Sequence, residues 1–404
     1  MVCQLTRTDL LESSTQLVRE MVEPGNRFVG YIYPHIPVEI FLAHGVTPSL
    51  IRAESKQRGG FEDSLQTFAC SLTRNLIAQR AGDRLLLDGI VFPGNTCDSL
   101  QNLGDVWRYR FPKDRVFRLT YPVATPDEAT VEYFAEELRQ LSNWLQESFD
   151  VPLLHDRLDA SSCLVIAYRK ALQYLYAARV YNPLLLSYSR LADLVGDFLS
   201  APSEDTLATT EEVADAVQNE VSEMGAVDTV RSIHEALIRG SLDSLDSELD
   251  HSRKRIVVTG GMIEPRVFAN LTDELNESAG ADVILDLFSY GYKTTFTPPP
   301  ASGGDPFLRV AESILRAPLE PTQEGLPQRK QFLEDVLMKL SADGLIVCEQ
   351  SFCDPDEFEG PSLGRAGKDA DIPVVRIPID PELSDRARIE TRIQTFLESV
   401  NLEV

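Results

Sequence analysis

Six cysteines occur in the 404-residue chain, and three of them stand where side chains could share one site. Cys97 lies in Gly-Ile-Val-Phe-Pro-Gly-Asn-Thr-Cys-Asp, and Cys353 lies in Gly-Leu-Ile-Val-Cys-Glu-Gln-Ser-Phe-Cys-Asp. Each run starts with a short apolar stretch that reads as a buried parallel strand. Ligands of open α/β sheets gather beyond the carboxyl ends of such strands. Cys70 falls in the stretch 62–80, which reads as a helix. Three thiolates on a scaffold that excludes water could hold three corners of a [4Fe–4S] cluster and leave the fourth iron open to a small ligand. Spacing alone also allows a zinc site with an open position, or plain buried thiols, because the chain has no Cys-x-x-Cys pair. Cys348, within a strand, and Cys163, in an apolar helix, read as core residues, and Cys3 lies near the start of the chain.

The elements that must position these groups follow from periodicity. A helix is expected over 6–22, then a strand over 27–33 broken by Pro34 and Pro37. A short helix over 38–44 should end at Gly45, which can take the left-handed backbone after a helix. Strands over 85–92 and 115–120 flank a helix near 105–110. That βαβαβ order implies a parallel sheet with right-handed crossovers. Residues 128–250 carry almost no strand signal and read as helices closed by the polar stretch Gly240-Ser-Leu-Asp-Ser-Leu-Asp-Ser. Strands and helices alternate again from 255 to 400. The reading is α/β: two Rossmann/flavodoxin-like parallel-sheet domains over 1–127 and 251–404, joined by a helical segment over 128–250. Gly260-Gly261 marks a tight turn but lacks the full Gly-x-Gly-x-x-Gly of a dinucleotide site.

Composition bounds the partners. Lys+Arg number 38 against Asp+Glu 63, a net charge of −25, which argues against nucleic acid and anionic membrane surfaces. No apolar run approaches the roughly 20 residues that span a bilayer, and the N-terminus lacks the apolar core of a signal peptide. A cytoplasmic protein is expected, in which six cysteines do not suggest a disulfide framework.

Four ordered motifs carry a resemblance, the last of them in two segments. Tyr31-Ile-Tyr-Pro-His-Ile-Pro-Val-Glu-Ile-Phe-Leu-Ala-His-Gly-Val-Thr-Pro resembles the N-terminal signature of the 2-hydroxyglutaryl-CoA dehydratase/benzoyl-CoA reductase family. Asp88-Gly-Ile-Val-Phe-Pro-Gly-Asn-Thr-Cys-Asp is similar to its Thr-Cys-Asp strand end, and the segment from Asp343 to Pro355 to its third cysteine segment. Ile372-Pro-Val-Val-Arg-Ile-Pro-Ile-Asp and Thr391-Arg-Ile-Gln-Thr-Phe-Leu-Glu resemble its C-terminal signature. The resemblance spans both α/β halves and matches the helical middle poorly.

The resemblance implies an iron–sulfur enzyme subunit that pairs with a second homologous subunit or with its own copy. A separate ATP-hydrolysing iron–sulfur activator would deliver one low-potential electron to an acyl-CoA thioester, forming a ketyl radical. Water elimination or ring reduction would follow. This chain has no Walker-type phosphate loop, so the ATP step would need another protein. Cys70, Cys97 and Cys353 become the expected ligands of a [4Fe–4S] cluster between the two domains. Glu39 is a candidate active-site acid or a helix N-terminal carboxylate, and His35 a candidate proton donor. Asp98 and Asp354 are expected to cap the helices after their strands. Two departures narrow the expectation. Asp286-Leu-Phe-Ser-Tyr-Gly and Leu315-Arg-Ala-Pro-Leu-Glu lack the cysteines with which some relatives hold a double cubane, so a single cubane is expected, with a double-cubane-type reductase of small molecules as an alternative. Pro34 and His35 stand where dehydratase catalytic subunits have Ser-Tyr-x-Pro, which leans toward a reductase-type subunit or a non-catalytic electron relay.

Overall fold

Apolar runs bounded by glycine, proline and polar turns set out two parallel sheets in a computed structural model. It describes residues 27–402, apart from 55–58, 154, 244, 246, 247, 381 and 384. The helix expected over 6–22 and Cys3 lie outside the described residues. The N-terminal half runs β1 (Arg27–Tyr31), α1 (Val38–Ala43), β2 (Val46–Leu50), α2 (Ser71–Ala81), β3 (Gly89–Gly94), α3 (Asp98–Arg110) and β4 (Val116–Thr120). The helical middle contains α4 (Glu128–Phe149), α5 (His155–Tyr181), α6 (Tyr188–Ser200), α7 (Glu204–Glu223) and α8 (Val227–Arg239). The C-terminal half runs β5 (Lys254–Thr259), α9 (Pro265–Ala279), β6 (Ala281–Leu287), α10 (Pro306–Leu315), α11 (Leu326–Lys339), β7 (Gly344–Gln350), α12 (Asp354–Asp369), β8 (Val374–Ile379) and α13 (Arg386–Leu402).

The sheets have the orders β2-β1-β3-β4 and β6-β5-β7-β8, parallel throughout. Both place the second strand outside the first and the third on its other side. The order therefore reverses between β1 and β3, and again between β5 and β7. Crevices at such reversals, beyond the carboxyl strand ends, are where this architecture binds ligands.

Strand β2 is absent from the sequence reading. Its sequence Val-Thr-Pro-Ser-Leu contains Pro48, which breaks an apolar run, but β2 is an edge strand, where a missing N–H is tolerated. The strand expected over 85–92 sits further on, at Gly89–Gly94, and is buried along its whole length. Gly89 permits this packing: an added Cβ would lie 3.1 Å from Phe149 and from Trp144 of α4. Gly45 follows α1 with φ +65, as the sequence suggests.

The middle helices join the halves rather than separate them. Helix α5 packs on α1, α7 and α8, while α4 packs on α10 and α6 on α9 and β2. Capping fixes their ends: Asp127 accepts from the Thr130 N–H at 2.8 Å, and Ser203 and Thr206 form a reciprocal capping box. Cys163, expected in the core, is exposed. The buried face of α5 runs through Leu158, Val165, Tyr168, Leu172 and Leu175, and Cys163 lies off that stripe. Cys348 is buried, as expected. Among the described residues no helix is long and apolar enough to cross a membrane.

Arg255 of β5 ties the middle segment to the second sheet. It is fully buried and donates to the carbonyls of Val180 (2.6 Å), Leu340 (2.9 Å) and Asp250 (3.1 Å). Burial pulls its pKa down to about 10, against the opposing pull of Asp343 and Asp250. Arg255→Met keeps the apolar stem and strands three carbonyls. It is expected to cost about 2–3 kcal/mol, read as a lower denaturant midpoint. An unchanged midpoint would show that the three bonds contribute nothing net.

Candidate functional site

Each of the three cysteines is the N-cap residue of a helix: Cys70 of α2, Cys97 of α3 and Cys353 of α12. Cys70 is therefore not inside a helix, as expected from the sequence, but directly ahead of one. Turns occupy residues 61–69, and Cys70 itself has φ −58 and ψ 154. Asp98 and Asp354 are not caps either. They take the first helical position, because the extended N-cap conformation falls one residue earlier, on Cys97 and Cys353. There they still favour the positive end of the helix dipole.

Two left-handed residues steer the strand-to-helix turns. Asn95 has φ +58 two residues before Cys97, and Phe352 has φ +60 just before Cys353. Asparagine tolerates that region, but a bulky residue there is uncommon. Phe352 is held by its N–H donating to Glu357 (3.0 Å) and by the Arg74 guanidinium, 5.4 Å from its ring. Arg74 belongs to α2, so this contact draws the Cys353 turn toward Cys70. Between the cysteines, the Cys70 N–H donates to Ser99 of α3 at 3.4 Å.

The three cysteines line one narrow cavity. Tyr33, Met262, Glu320, Gln350 and Asp356 also line it, so both sheets contribute. Burial pushes all three thiols up, Cys97 to about 12; Cys70 raises Cys97 further, and Asp356, then Cys97 and Cys70, raise Cys353. Backbone N–H groups of the first helical turns, at Leu72 and Thr73, Ser99 and Leu100, and Asp356, oppose this without winning. Such crowding of soft, desolvated donors suits a cationic centre, which would neutralise thiolates that burial and mutual repulsion otherwise penalise. Among the described residues, no three His, Cys, Asp or Glu side chains meet where one ion could be gripped. Three cysteine thiols on one lining fit a [4Fe–4S] cluster held with one thiolate per iron and one iron left open.

A buried charge network borders the cavity. Glu320, 1% exposed, lies 3.1 Å from His35 Nε2 and 3.6 Å from Lys293 Nζ, and accepts a hydrogen bond from the Ser289 hydroxyl. Burial alone would raise its pKa, but Lys293, His35 and Ser289 together hold it down to about 2. His35 reaches the cavity through Glu320, and its Nδ1 has no protein hydrogen-bond partner. Glu39 stands apart. It is buried 3.5 Å from Arg169 of α5 and does not line the cavity.

A larger pocket of about 320 Å³ adjoins the cysteine cavity, with Gly261, Pro321 and Asp356 lining both. It occupies the crevice beyond β5 and β7, where the strand order of the second sheet reverses. Its walls include Tyr292, Phe296, Phe332 and Leu333, and its charged groups include Lys293, Arg329, Asp356 and Glu359. Asp356 is buried at the junction, and burial pushes its carboxyl up to about 7.

Lys293 is carried by the turn Ser289–Lys293, which sits on a second buried carboxyl. Asp286 accepts from the Tyr176 hydroxyl at 2.8 Å and from the Tyr292 N–H at 3.2 Å. Burial raises it to about 6. The folded protein thus binds this proton more tightly than the unfolded chain does. Its stabilising effect is full below pH 4, fades as pH rises through about 6, and is gone above that. Asp286→Asn should remove a fall of order 3 kcal/mol between those limits, on the 1.36 kcal/mol-per-unit scale, so the variant gains on the wild type toward pH 7. Denaturation curves at pH 4.5 and 7 check this, and parallel curves for the two proteins would contradict it. Glu320 acts in the opposite sense, its stabilisation being lost as pH falls from about 4.5 toward 2.

Glu320, Lys293 and Asp356 are absent from the sequence reading. The only local signal is an acid in the apolar, proline-rich stretch Ala317-Pro-Leu-Glu-Pro, where a carboxylate is costly unless paired.

Known proteins resemble this chain over nearly its whole length. The family model described as 2-hydroxyglutaryl-CoA dehydratase, D-component, matches residues 34–400. The chain is 20% identical to the (R)-phenyllactyl-CoA dehydratase beta subunit of Clostridium sporogenes, over 97% of each chain. It is 22% identical to one of the subunits of the benzoyl-CoA reductase of Thauera aromatica, covering 99% of this chain and 97% of that one. It is 24% identical to the beta subunit of the lactoyl-CoA dehydratase of Anaerotignum propionicum, covering 93% and 92%. The segment of lowest expected similarity, the helical middle, lies inside the matched span, and both cysteine-bearing halves are included. The chain therefore belongs to the 2-hydroxyglutaryl-CoA dehydratase D-component family.

Proposed function

We propose that this chain is the iron–sulfur subunit of an activator-dependent enzyme acting on an acyl-CoA thioester, of the 2-hydroxyacyl-CoA dehydratase or benzoyl-CoA reductase type. The observation that carries the reading is the meeting of Cys70, Cys97 and Cys353 around one cavity that adjoins a ligand-sized pocket. A [4Fe–4S] cluster held by these cysteines would supply one-electron chemistry at low potential. The remaining roles fall to the chain's own side chains. The larger pocket would receive the thioester, with the exposed Arg239 and Arg316 at its edge facing the anionic end of the coenzyme. Lys293, at the inner end, can hydrogen-bond an acyl oxygen and steady negative charge that develops there. Glu320 would hold Lys293 and His35 in position, and Asp356 could give or take a proton near neutral pH. Apolar walls would keep water away from the reacting carbon.

The partners in this reading are a second subunit, homologous or a second copy, and a separate ATP-hydrolysing activator. Turnover of acyl-CoA thioesters, measured without oxygen with the activator, ATP and a low-potential donor, tests it. Product should form only with the activator and ATP present. Failure with every thioester, with and without a second subunit, would contradict it. A second reading, in which the chain relays electrons and does no chemistry, is favoured by Pro34 and His35 standing where catalytic dehydratase subunits carry a serine. Under that reading turnover survives Lys293→Met but not Cys97→Ser.

A further inference from the structure

We infer that the larger pocket selects thioesters whose acyl group is neutral and apolar, a flat aromatic ring above all, against those ending in a second carboxylate. The inference rests on the acyl-CoA reading above and narrows it, since the acyl groups in the names of the family and of the relatives range from hydroxyglutaryl to aromatic ones.

Two features of the pocket carry it. The first is a ladder of rings. Tyr292 stacks on Phe296 at 4.4 Å and 27°, and on Phe332 at 5.6 Å and 24°, so three nearly parallel rings form one wall. Tyr292 and Phe296 are almost fully buried, while Phe332 is half-buried and can meet an incoming group. A planar acyl group can extend this stack, gaining ring contacts beyond simple burial.

The second feature is the state of the charges. Each cation at the inner end is already matched to a buried carboxylate. Lys293 lies 3.6 Å from Glu320, and Arg329 grips Glu359 with both Nε, at 3.3 Å, and Nη2. Asp356 adds a third buried acid beside them. A second carboxylate on the acyl chain would lose its water beside Glu359 and Asp356, with Lys293 and Arg329 already engaged by Glu320 and Glu359. The exposed Arg239 and Arg316 stand at the edge, where solvent and salt screen them.

Isothermal titration of the full chain, purified without oxygen, with benzoyl-CoA, glutaryl-CoA and free CoA tests this without relying on turnover. Benzoyl-CoA is expected to bind at least tenfold more tightly than glutaryl-CoA. Glu359→Gln releases Arg329 from its carboxylate and should improve glutaryl-CoA binding about tenfold, with little effect on benzoyl-CoA. Phe332→Ala should weaken benzoyl-CoA about two- to tenfold and leave glutaryl-CoA unchanged. Equal or tighter binding of glutaryl-CoA by the wild type, or a preference untouched by both variants, would overturn the inference while leaving an acyl-CoA site in place. Binding of no thioester and no CoA would overturn the acyl-CoA reading and the inference together.

Discussion

Glu320→Ala is expected to lower stability by about 3–5 kcal/mol, the cost of stripping one partner from a buried ion pair. The carboxylate is 1% exposed and serves three groups at once: His35, Lys293 and the Ser289 hydroxyl. Removing it leaves an ammonium and an imidazole in a nearly dry site, and a cavity besides. The loss also crosses between the halves, because His35 follows β1 whereas Glu320 and Lys293 belong to the C-terminal half. The denaturant midpoint at neutral pH reads the effect. Lys293→Met, combined with Glu320→Ala, should recover part of the loss, since the stranded cation is then gone. A drop below about 1 kcal/mol for Glu320→Ala would show that water reaches the site and that the network is not buried in solution.

Gly261→Ala is expected to reduce turnover in the activator-coupled assay about 100-fold while the protein stays folded. Gly261 lies after β5, where cysteine cavity and larger pocket meet. A Cβ added there would overlap the Asp356 carboxylate. Asp356 is buried, accepts from the Gln350 N–H at 3.3 Å, and sits in the first turn of the helix capped by Cys353, so it has little room to retreat. Either Asp356 shifts or the β5–α9 turn does, and displacements near 1 Å at a reacting centre cost about this much. Circular dichroism would confirm the fold, and wild-type turnover would contradict the placement of the substrate path at Gly261.

Much of the frame is legible in the sequence because its signals are local. Apolar runs mark β3, β5, β6 and β7, all but β6 leading into glycine or Cys-Asp, and helical periodicity marks the middle segment. Strand β2 is hidden because Pro48 is acceptable only at a sheet edge, and edge position is a property of the whole sheet. Cys70 reads as mid-helix because the turns over 61–69 carry no glycine or proline to signal them. Cys97 and Cys353 announce themselves as strand-end residues, yet their shared role as helix N-caps, and the left-handed Phe352 that makes one of those turns, need the backbone. The Glu320 network is the least legible part. Its members come from after β1, from the turn after β6 and from the loop after α10, and only the fold makes their charges neighbours. Glu39 shows the reverse: a carboxylate in a suggestive motif, placed by the structure against Arg169 and away from the cysteines.

The central claim is that Cys70, Cys97 and Cys353 jointly hold a single open cubane. It is tested most directly by iron and acid-labile sulfide per chain, on protein purified without oxygen, beside Cys97→Ser. About four irons and four sulfides in the wild type, lost in a variant that keeps its fold, is the predicted result. Protein without iron, indistinguishable from Cys97→Ser, would contradict it and reduce the three thiols to buried ends of their helices.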